Sequence, residues 1–248
     1  MKEKKEKKEK KKTGVIYKIV IGILICIIAF SLYKIGTIVY EYYVGTKQYS
    51  EVQELAGAAD FTGALDWEAL LEKNKDVKAW LYSKDTVINY PVVQGDDNDY
   101  YLYRMVNGEW NGKGSLFIDY RCENPFKDFN TIIYGHRMKD GSMFRSLVEY
   151  RDDPEYYAEH KTMDLLTPDS KYKLEIFAAI TIPADSDMYR ISFDNDADKQ
   201  SYLDKISEEN VLSTDVSVSV DDEIVMMSTC TYEYDDARLV VYGKLVEK

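Results

Sequence analysis

A small secreted scaffold stapled by disulfides carries four or more cysteines, and this chain of 248 residues has three. Cys26 lies inside an apolar run, which leaves Cys122 and Cys230 as the thiols beyond it. They could bridge each other; otherwise at least one is kept free in an exterior compartment, where an unpaired thiol risks oxidation and so suggests a working role. Histidine is scarcer still. His136 and His160 have no short paired spacing with each other or with the cysteines, so no metal site is expected and no cofactor is called for. The segment DNDAD (194–198) opens like a calcium loop, but Lys199 stands where such a loop needs glycine and Lys205 where it needs glutamate, which excludes an EF-hand. Internal repeats are missing, and the one low-complexity stretch is a lysine-rich tail.

Positive charge is outweighed in the body of the chain. Residues 1–12 hold eight Lys and three Glu, net +5, and taking that from the formal total of −12 leaves −17 for residues 13–248. So acidic a body repels phosphates, which argues against nucleic acid as a partner. Behind the tail no charge interrupts the apolar run from Ile19 to Tyr33, and with Lys18 and Lys34 snorkelling outward the span reaches about 20 residues, enough to cross a bilayer. A cleaved signal peptide would need small residues after the run, where Tyr33, Lys34 and Ile35 stand instead. Lysines before the span and an acidic body after it place the tail in the cytoplasm and the rest outside. The expected division is a basic tail (1–12), a single transmembrane anchor (13–40), an extracellular stalk or linker (41–65) and one domain (66–248).

Within that domain Asp66 caps a helical pattern, DWEALLEKNKDVKAWL, with Trp67, Leu70, Leu71, Val77, Trp80 and Leu81 at roughly helical spacing. The pattern then changes to short runs rich in β-branched and aromatic residues, at 115–120, 130–135, 173–182, 223–230 and 238–246. Helical pieces interrupt them at 153–160, with Asp153 and Pro154 at the start, and at 196–212, where Tyr202, Leu203 and Ile206 form one apolar face. A mainly β domain with peripheral helices follows, a barrel or a strongly curved sheet.

If 223–230 and 238–246 are neighbouring antiparallel strands, TYEYDDA connects them and Cys230 faces Arg238 across the mouth of the loop. A guanidinium beside a thiol favours the thiolate, or donates hydrogen bonds to an oxyanion on a carbonyl under attack. The alternative is that Arg238 merely pairs with Glu233, Asp235 or Asp236. His136 ends a strand-like run and opens a glycine-containing loop, where strands deliver side chains to a site, whereas His160 ends a polar helix.

These residues resemble a family. DDNDYYL (96–102), GSLFIDYR (114–121), NTIIYGHRMKDGSMF (130–144) and STC followed by R-x-V-V-x-G-K-L (228–245) are similar, in order and behind an amino-terminal anchor, to the class B sortases. Met226 and Met227 depart from the family's usual Thr-Leu, and the loop PADSDMYR (183–190) follows no pattern that transfers. The resemblance implies an eight-stranded sortase-type β-barrel and a cysteine transpeptidase. Cys230 would attack the threonine carbonyl of a carboxy-terminal sorting motif, of Asn-Pro-x-Thr type, in a secreted protein. Arg238 would stabilise the oxyanion, and His136 would protonate the departing amine. An amino group of the peptidoglycan cross-bridge, carried on a lipid-linked precursor, would then resolve the thioester. Asn98, Leu102, Tyr134 and Ser228 match positions that line the substrate groove or surround the thiol. Each also has a plain structural reading: Leu102 and Tyr134 as core, Asn98 as a turn residue, Ser228 as a strand hydroxyl.

Two other functional classes share these residues. A secreted cysteine hydrolase would let water resolve the thioester, and a silent membrane-tethered binding module would keep Cys230 as a buried strand residue. The Ser-x-Gly-Cys-x-Arg motif of an L,D-transpeptidase is not found. The acidic loop Glu233, Asp235, Asp236 could attract a cationic amine acceptor.

Overall fold

The computed structural model describes residues 2–230 and 236–248, with side chains from residue 16 to 229 and from 236 onward. Two compact units result, residues 1–44 and 45–248. The first lies within helix α1 (Lys2–Leu55), whose stretch from Ile16 has a mean hydropathy of 2.4 over its most apolar window and none of that window buried. Ile19, Ile23, Leu24, Ile27, Ile28 and Phe30 all stand exposed. This stretch is apolar all round and long enough to cross a bilayer.

The second unit begins with the last turns of α1, where Tyr49 and Val52 are buried, as is Ala56 just past the helix end. Val52, Ala56 and Ala58 pack with Leu70, Trp80 and Leu166, so residues in the segment expected to be stalk contribute to a folded core. Eight strands close into a mixed barrel in the order β1-β2-β3-β4-β7-β8-β6-β5. They are β1 (Val77–Tyr82), β2 (Asn89–Val93), β3 (Leu116–Ile118), β4 (Asn130–Tyr134), β5 (Thr162–Leu166), β6 (Lys171–Pro183), β7 (Ile224–Cys230) and β8 (Ala237–Glu247). The β2–β3 and β4–β7 pairs are parallel and the rest antiparallel. The expected mainly β barrel with peripheral helices is therefore what forms, and closure leaves it no open edge.

The helical pattern over 66–81 is corrected. Only Trp67–Lys73 is helical (α2), capped by the Asp66 carboxylate, which accepts from the Ala69 amide. Asn74 ends it: its amide donates to the Leu70 carbonyl, while its side chain donates to the Tyr101 hydroxyl and the Val106 carbonyl. Anchored that way, the chain turns out into β1, where Val77, Ala79, Trp80 and Leu81 are all buried, the barrel interior covering one face of the strand and the cluster of Val52, Ala56 and Leu70 covering Trp80. The 153–160 piece shortens to α4 (Tyr156–Glu159), preceded by α3 (Glu149–Asp152). The piece at 196–212 becomes α5 (Asp196–Glu209), capped by Asn195 and burying Tyr202, Leu203 and Ile206 against the barrel.

Candidate active site

Strand β7 carries Cys230 to its end, and the β7–β8 register sets Cys230 directly opposite Arg238. The expected facing pair is thus present in the backbone. The Cys230 side chain and residues 231–235 lie outside the described residues, and with them the acidic-loop reading of Glu233 and Asp235. Asp236, at the far end of that loop, has φ +61° and offers its carbonyl to the Ala184 amide. Cys122 is buried and its thiol is free, with burial pushing it up to about 11, so it stays protonated and inert at neutral pH.

One open groove of about 680 Å³ runs across this end of the barrel, and His136, Arg238, Asn98, Leu102, Tyr134 and Ser228 all line it. His136 follows β4 immediately after Gly135, where a side chain would come within 2.5 Å of Leu116 and Phe144. The His136 Nε2 lies 2.6 Å from the Leu102 carbonyl. A carbonyl only accepts, so Nε2 carries the hydrogen and Nδ1 is the basic nitrogen of the neutral ring. Burial lowers the His136 pKa below its ordinary value, against a smaller upward pull from that bond. At neutral pH the ring is therefore mostly uncharged and able to take a proton. His160, by contrast, caps α4 with its ring stacked on Tyr156, 4.0 Å between centroids, away from the groove.

The four groove residues read from the sequence are held in different ways. Asn98 accepts from the Tyr120 amide at 3.0 Å, and Leu102 ends the 3-10 turn Tyr100–Leu102. Tyr134 and Ser228 are register partners on the parallel β4–β7 pair. The Tyr134 hydroxyl donates to Asp119 at 2.9 Å, and the Ser228 hydroxyl lies 2.9 Å from that of Tyr189.

Three groove features escaped the sequence reading. Asp119 is fully buried and takes a two-pronged contact from Arg121, Nε at 2.9 Å and a terminal nitrogen at 2.7 Å. Burial would raise the Asp119 pKa, but the Arg121 side chain and amide and the Tyr134 hydroxyl outweigh it and hold the carboxyl below its ordinary value. Arg121 itself, the last residue of the GSLFIDYR motif and two positions after Asp119, reaches the groove wall. The third feature is the loop 183–190, whose Ala184, Asp185, Ser186 and Tyr189 form the opposite wall. It is fastened to α5 by the Arg190–Asp198 ion pair at 2.5 Å and by the Tyr202 hydroxyl donating to the Met188 carbonyl at 2.8 Å. Among the described residues no cluster of three or more His, Cys, Asp and Glu is arranged to hold a metal ion.

A groove walled by a half-buried histidine and an arginine, at the end of the strand that delivers a cysteine, is suited to acyl transfer. Residues 83–246 match the family model described as the sortase domain. This chain belongs to the sortase family. It is 42% identical over 181 residues to the sortase B of Listeria monocytogenes, covering 72% of this chain and 73% of that protein. The crystal structure of sortase B from Bacillus anthracis in complex with AAEK1 superposes with a TM-score of 0.75 at 37% identity, covering 85% of this chain and 100% of that one. A Staphylococcus aureus sortase B–substrate complex gives a TM-score of 0.75 at 31% identity, covering 84% of this chain and 99% of that one. The resemblance read from the four motifs therefore holds: this sortase is of class B, with the eight-stranded barrel of that class and the activity of a cysteine transpeptidase acting on a peptide.

Proposed function

We propose that this sortase joins secreted proteins to the cell wall, with Cys230 as nucleophile, His136 as acid and base, and Arg238 as oxyanion donor. The Cys230 sulfur attacks the threonine carbonyl of a sorting motif containing Pro-x-Thr, and the thiol proton passes to His136 Nδ1. Arg238 donates to the oxygen as charge collects on it. The tetrahedral adduct collapses to a thioester as His136 returns the proton to the departing amine. A peptidoglycan cross-bridge amine, on a lipid-linked precursor, then attacks the thioester. His136 takes that amine's proton, a new amide forms, and the Cys230 sulfur is regained.

The observation that carries this reading is the Cys230–Arg238 register pair at the mouth of the groove that His136 also lines. Asn98, Leu102, Tyr134 and Ser228 are proposed as peptide-contacting groove residues on the same ground. The apolar helix α1 supports a single-pass anchor in the cell membrane (13–40), with the basic tail (1–12) cytoplasmic. The segment 41–65 would then lead outward to the catalytic domain (66–248), facing the wall.

The test uses the full chain in detergent micelles and its Cys230→Ala variant, with quenched peptides carrying different Pro-x-Thr motifs, with and without an amine acceptor. Mass spectrometry of the products should reveal an acceptor-joined peptide that Cys230→Ala does not make. Cleavage to the free acid alone, with acceptor present, would favour a hydrolase. Cleavage by Cys230→Ala would remove Cys230 from its role.

A further inference from the structure

Lys113 is a buried lysine that the transpeptidation chemistry does not use. Its side chain is 2% exposed, and its ammonium donates to Asp140 Oδ2 at 2.5 Å, Ser142 Oγ at 3.0 Å and Thr46 Oγ1 at 3.0 Å. Those partners come from two elements. Thr46 is on the last turns of α1, while Asp140 and Ser142 sit in the loop that His136 opens. That loop folds back on itself: the Phe144 amide donates to the His136 carbonyl at 2.9 Å, and Arg137 bridges Met143. Burial would raise the Asp140 pKa, but Lys113 and Ser142 hold it below its ordinary value, so the Asp140 carboxyl is ionised.

A second connection runs beside the first. The Tyr49 hydroxyl, also on α1, donates to the Gly114 carbonyl at 2.5 Å. Gly114 has φ +58°, and a side chain there would come within 2.4 Å of the Leu102 carbonyl oxygen, the atom bonded to His136 Nε2. The helix approaches closely enough for both grips because it has a glycine at the contact. A side chain at Gly45 would meet Asn111 Oδ1 and Lys113 Cδ at 2.9 Å. Two adjacent residues are thus tied to α1 on one side, Lys113 donating to Thr46 and Gly114 accepting from Tyr49. On the other they touch the loop after His136 and the carbonyl that sets its tautomer.

We propose that Lys113 and Tyr49 are positioning residues, through which the last turns of α1 hold the His136 imidazole in its working place and orientation. The inference rests on the assignment of His136 as acid and base. A ring held by a carbonyl on one nitrogen transfers protons at the other only while that carbonyl and the following loop stay fixed, and small misplacements are expensive in rate. Among the described residues the charged groups sharing the groove with the ring are Asp99 before the 3-10 turn, Arg121 after β3, Asp185 after β6 and Arg238 on β8, and none is altered by changing Lys113 or Tyr49.

The test compares the full chain in detergent micelles with its K113M, Y49F and H136A variants. All carry Cys26→Ala, turnover of a sorting peptide is expressed per molecule that takes a single rapid alkyl label, and a second label on Cys122 marks the misfolded molecules, which are not counted. With two histidines in the chain, H136A assigns the His136 ring resonance by subtraction, and its titration midpoint is read by NMR. K113M is expected to lower kcat roughly ten- to a hundred-fold and Y49F several-fold, with KM unchanged. In both, the His136 midpoint should rise toward its ordinary value as water reaches the ring. An H136A enzyme that still turns over would overturn the assignment of His136 itself. With H136A inactive, wild-type kcat and midpoint in Y49F would overturn the positioning role, and Y49F decides alone if K113M does not fold.

Discussion

The hydroxyls of Tyr189 and Ser228 lie 2.9 Å apart and join the loop after β6 to the strand that ends at Cys230. Tyr189 also stacks near Tyr134, 5.9 Å between ring centroids, so the groove's two long walls touch through aromatic rings and one hydroxyl pair. Ser228 is buried. Removing its partner leaves a hydroxyl with poor access to water, at a cost of about 1–3 kcal/mol.

Tyr189→Phe keeps the ring stack and deletes that bond. The wall should loosen without touching the reacting groups, so peptide KM rises while kcat per active thiol holds. Steady-state kinetics on one sorting peptide reads the split, and a fall confined to kcat would contradict this account.

Arg238 occupies the groove beside the cysteine's register position. Arg238→Ala should lower kcat by about 10²–10³-fold, the usual effect of deleting one oxyanion donor, with little change in KM. Arg238→Lys keeps the charge but loses the planar fork and should recover only part of the rate. Pre-steady-state measurement of thioester formation would locate the defect in the first step.

His136 makes stability depend on pH in a stated direction. Its folded pKa is lowered by burial, so below the ordinary value of 6.5 the unfolded chain binds more protons than the folded one. The neutral-buried contribution is therefore complete above pH 6.5 and is lost as pH falls below it, until the folded-state pKa is passed. The drop in Tm from pH 7.5 to pH 5 should be smaller in His136→Gln than in the parent chain. Equal drops in the two proteins would assign the loss to other groups.

Thiol labelling should be selective. Cys122 is buried and its pKa is raised to about 11, so a Cys26→Ala chain treated with iodoacetamide near neutral pH should take one label, lost in Cys230→Ala. Intact-mass spectrometry counts the labels, and a second rapid label on the folded protein would mean that Cys122 is reachable.

Gly114→Ala should destabilise the catalytic unit by more than the roughly 1–3 kcal/mol of a strained backbone residue, because its side chain would also strike the Leu102 carbonyl. Denaturant unfolding of the variant reads this directly.

Much of this architecture was legible beforehand. Strands β4, β6, β7 and β8 announce themselves by β-branched and aromatic runs bounded by turn residues, and the facing of Cys230 and Arg238 follows from pairing the last two. His136 separated from His160 because one ends a strand and the other a polar helix. Strand β1 was hidden because Trp67, Leu70, Leu71, Val77, Trp80 and Leu81 keep a helical spacing across Asn74, whose stop signal depends on Tyr101 and Val106, far along the chain. Strand β2 contains Pro91, which reads against a strand, yet Pro91 sits opposite Trp80 within the barrel. Strand β5 is only five residues long.

The site was less legible than the fold, because its walls come from segments without periodicity. Tyr189 lies in a loop fixed by α5 and by the strand after it, and no local pattern marks it. Lys113 reads as an ordinary solvated lysine until Thr46 and Asp140 are brought around it. Asp119 and Arg121 sit two apart in sequence, and their pairing looks trivial until Tyr134 joins the same carboxylate.

The parallel pairing of β4 with β7 has a consequence for how the enzyme comes into being. Asn130 must find Ile224, and β8 must then lie between β7 and β6, so the barrel is sealed by residues from the very end of the chain. Such distant pairings fold slowly compared with local ones. A nascent molecule emerging amino-terminus first thus has its histidine and much of its groove wall exposed before the strand bearing its cysteine arrives. The groove that His136 lines is therefore complete only once the last two strands have taken their places, since Ser228, Thr229 and Arg238 belong to its lining.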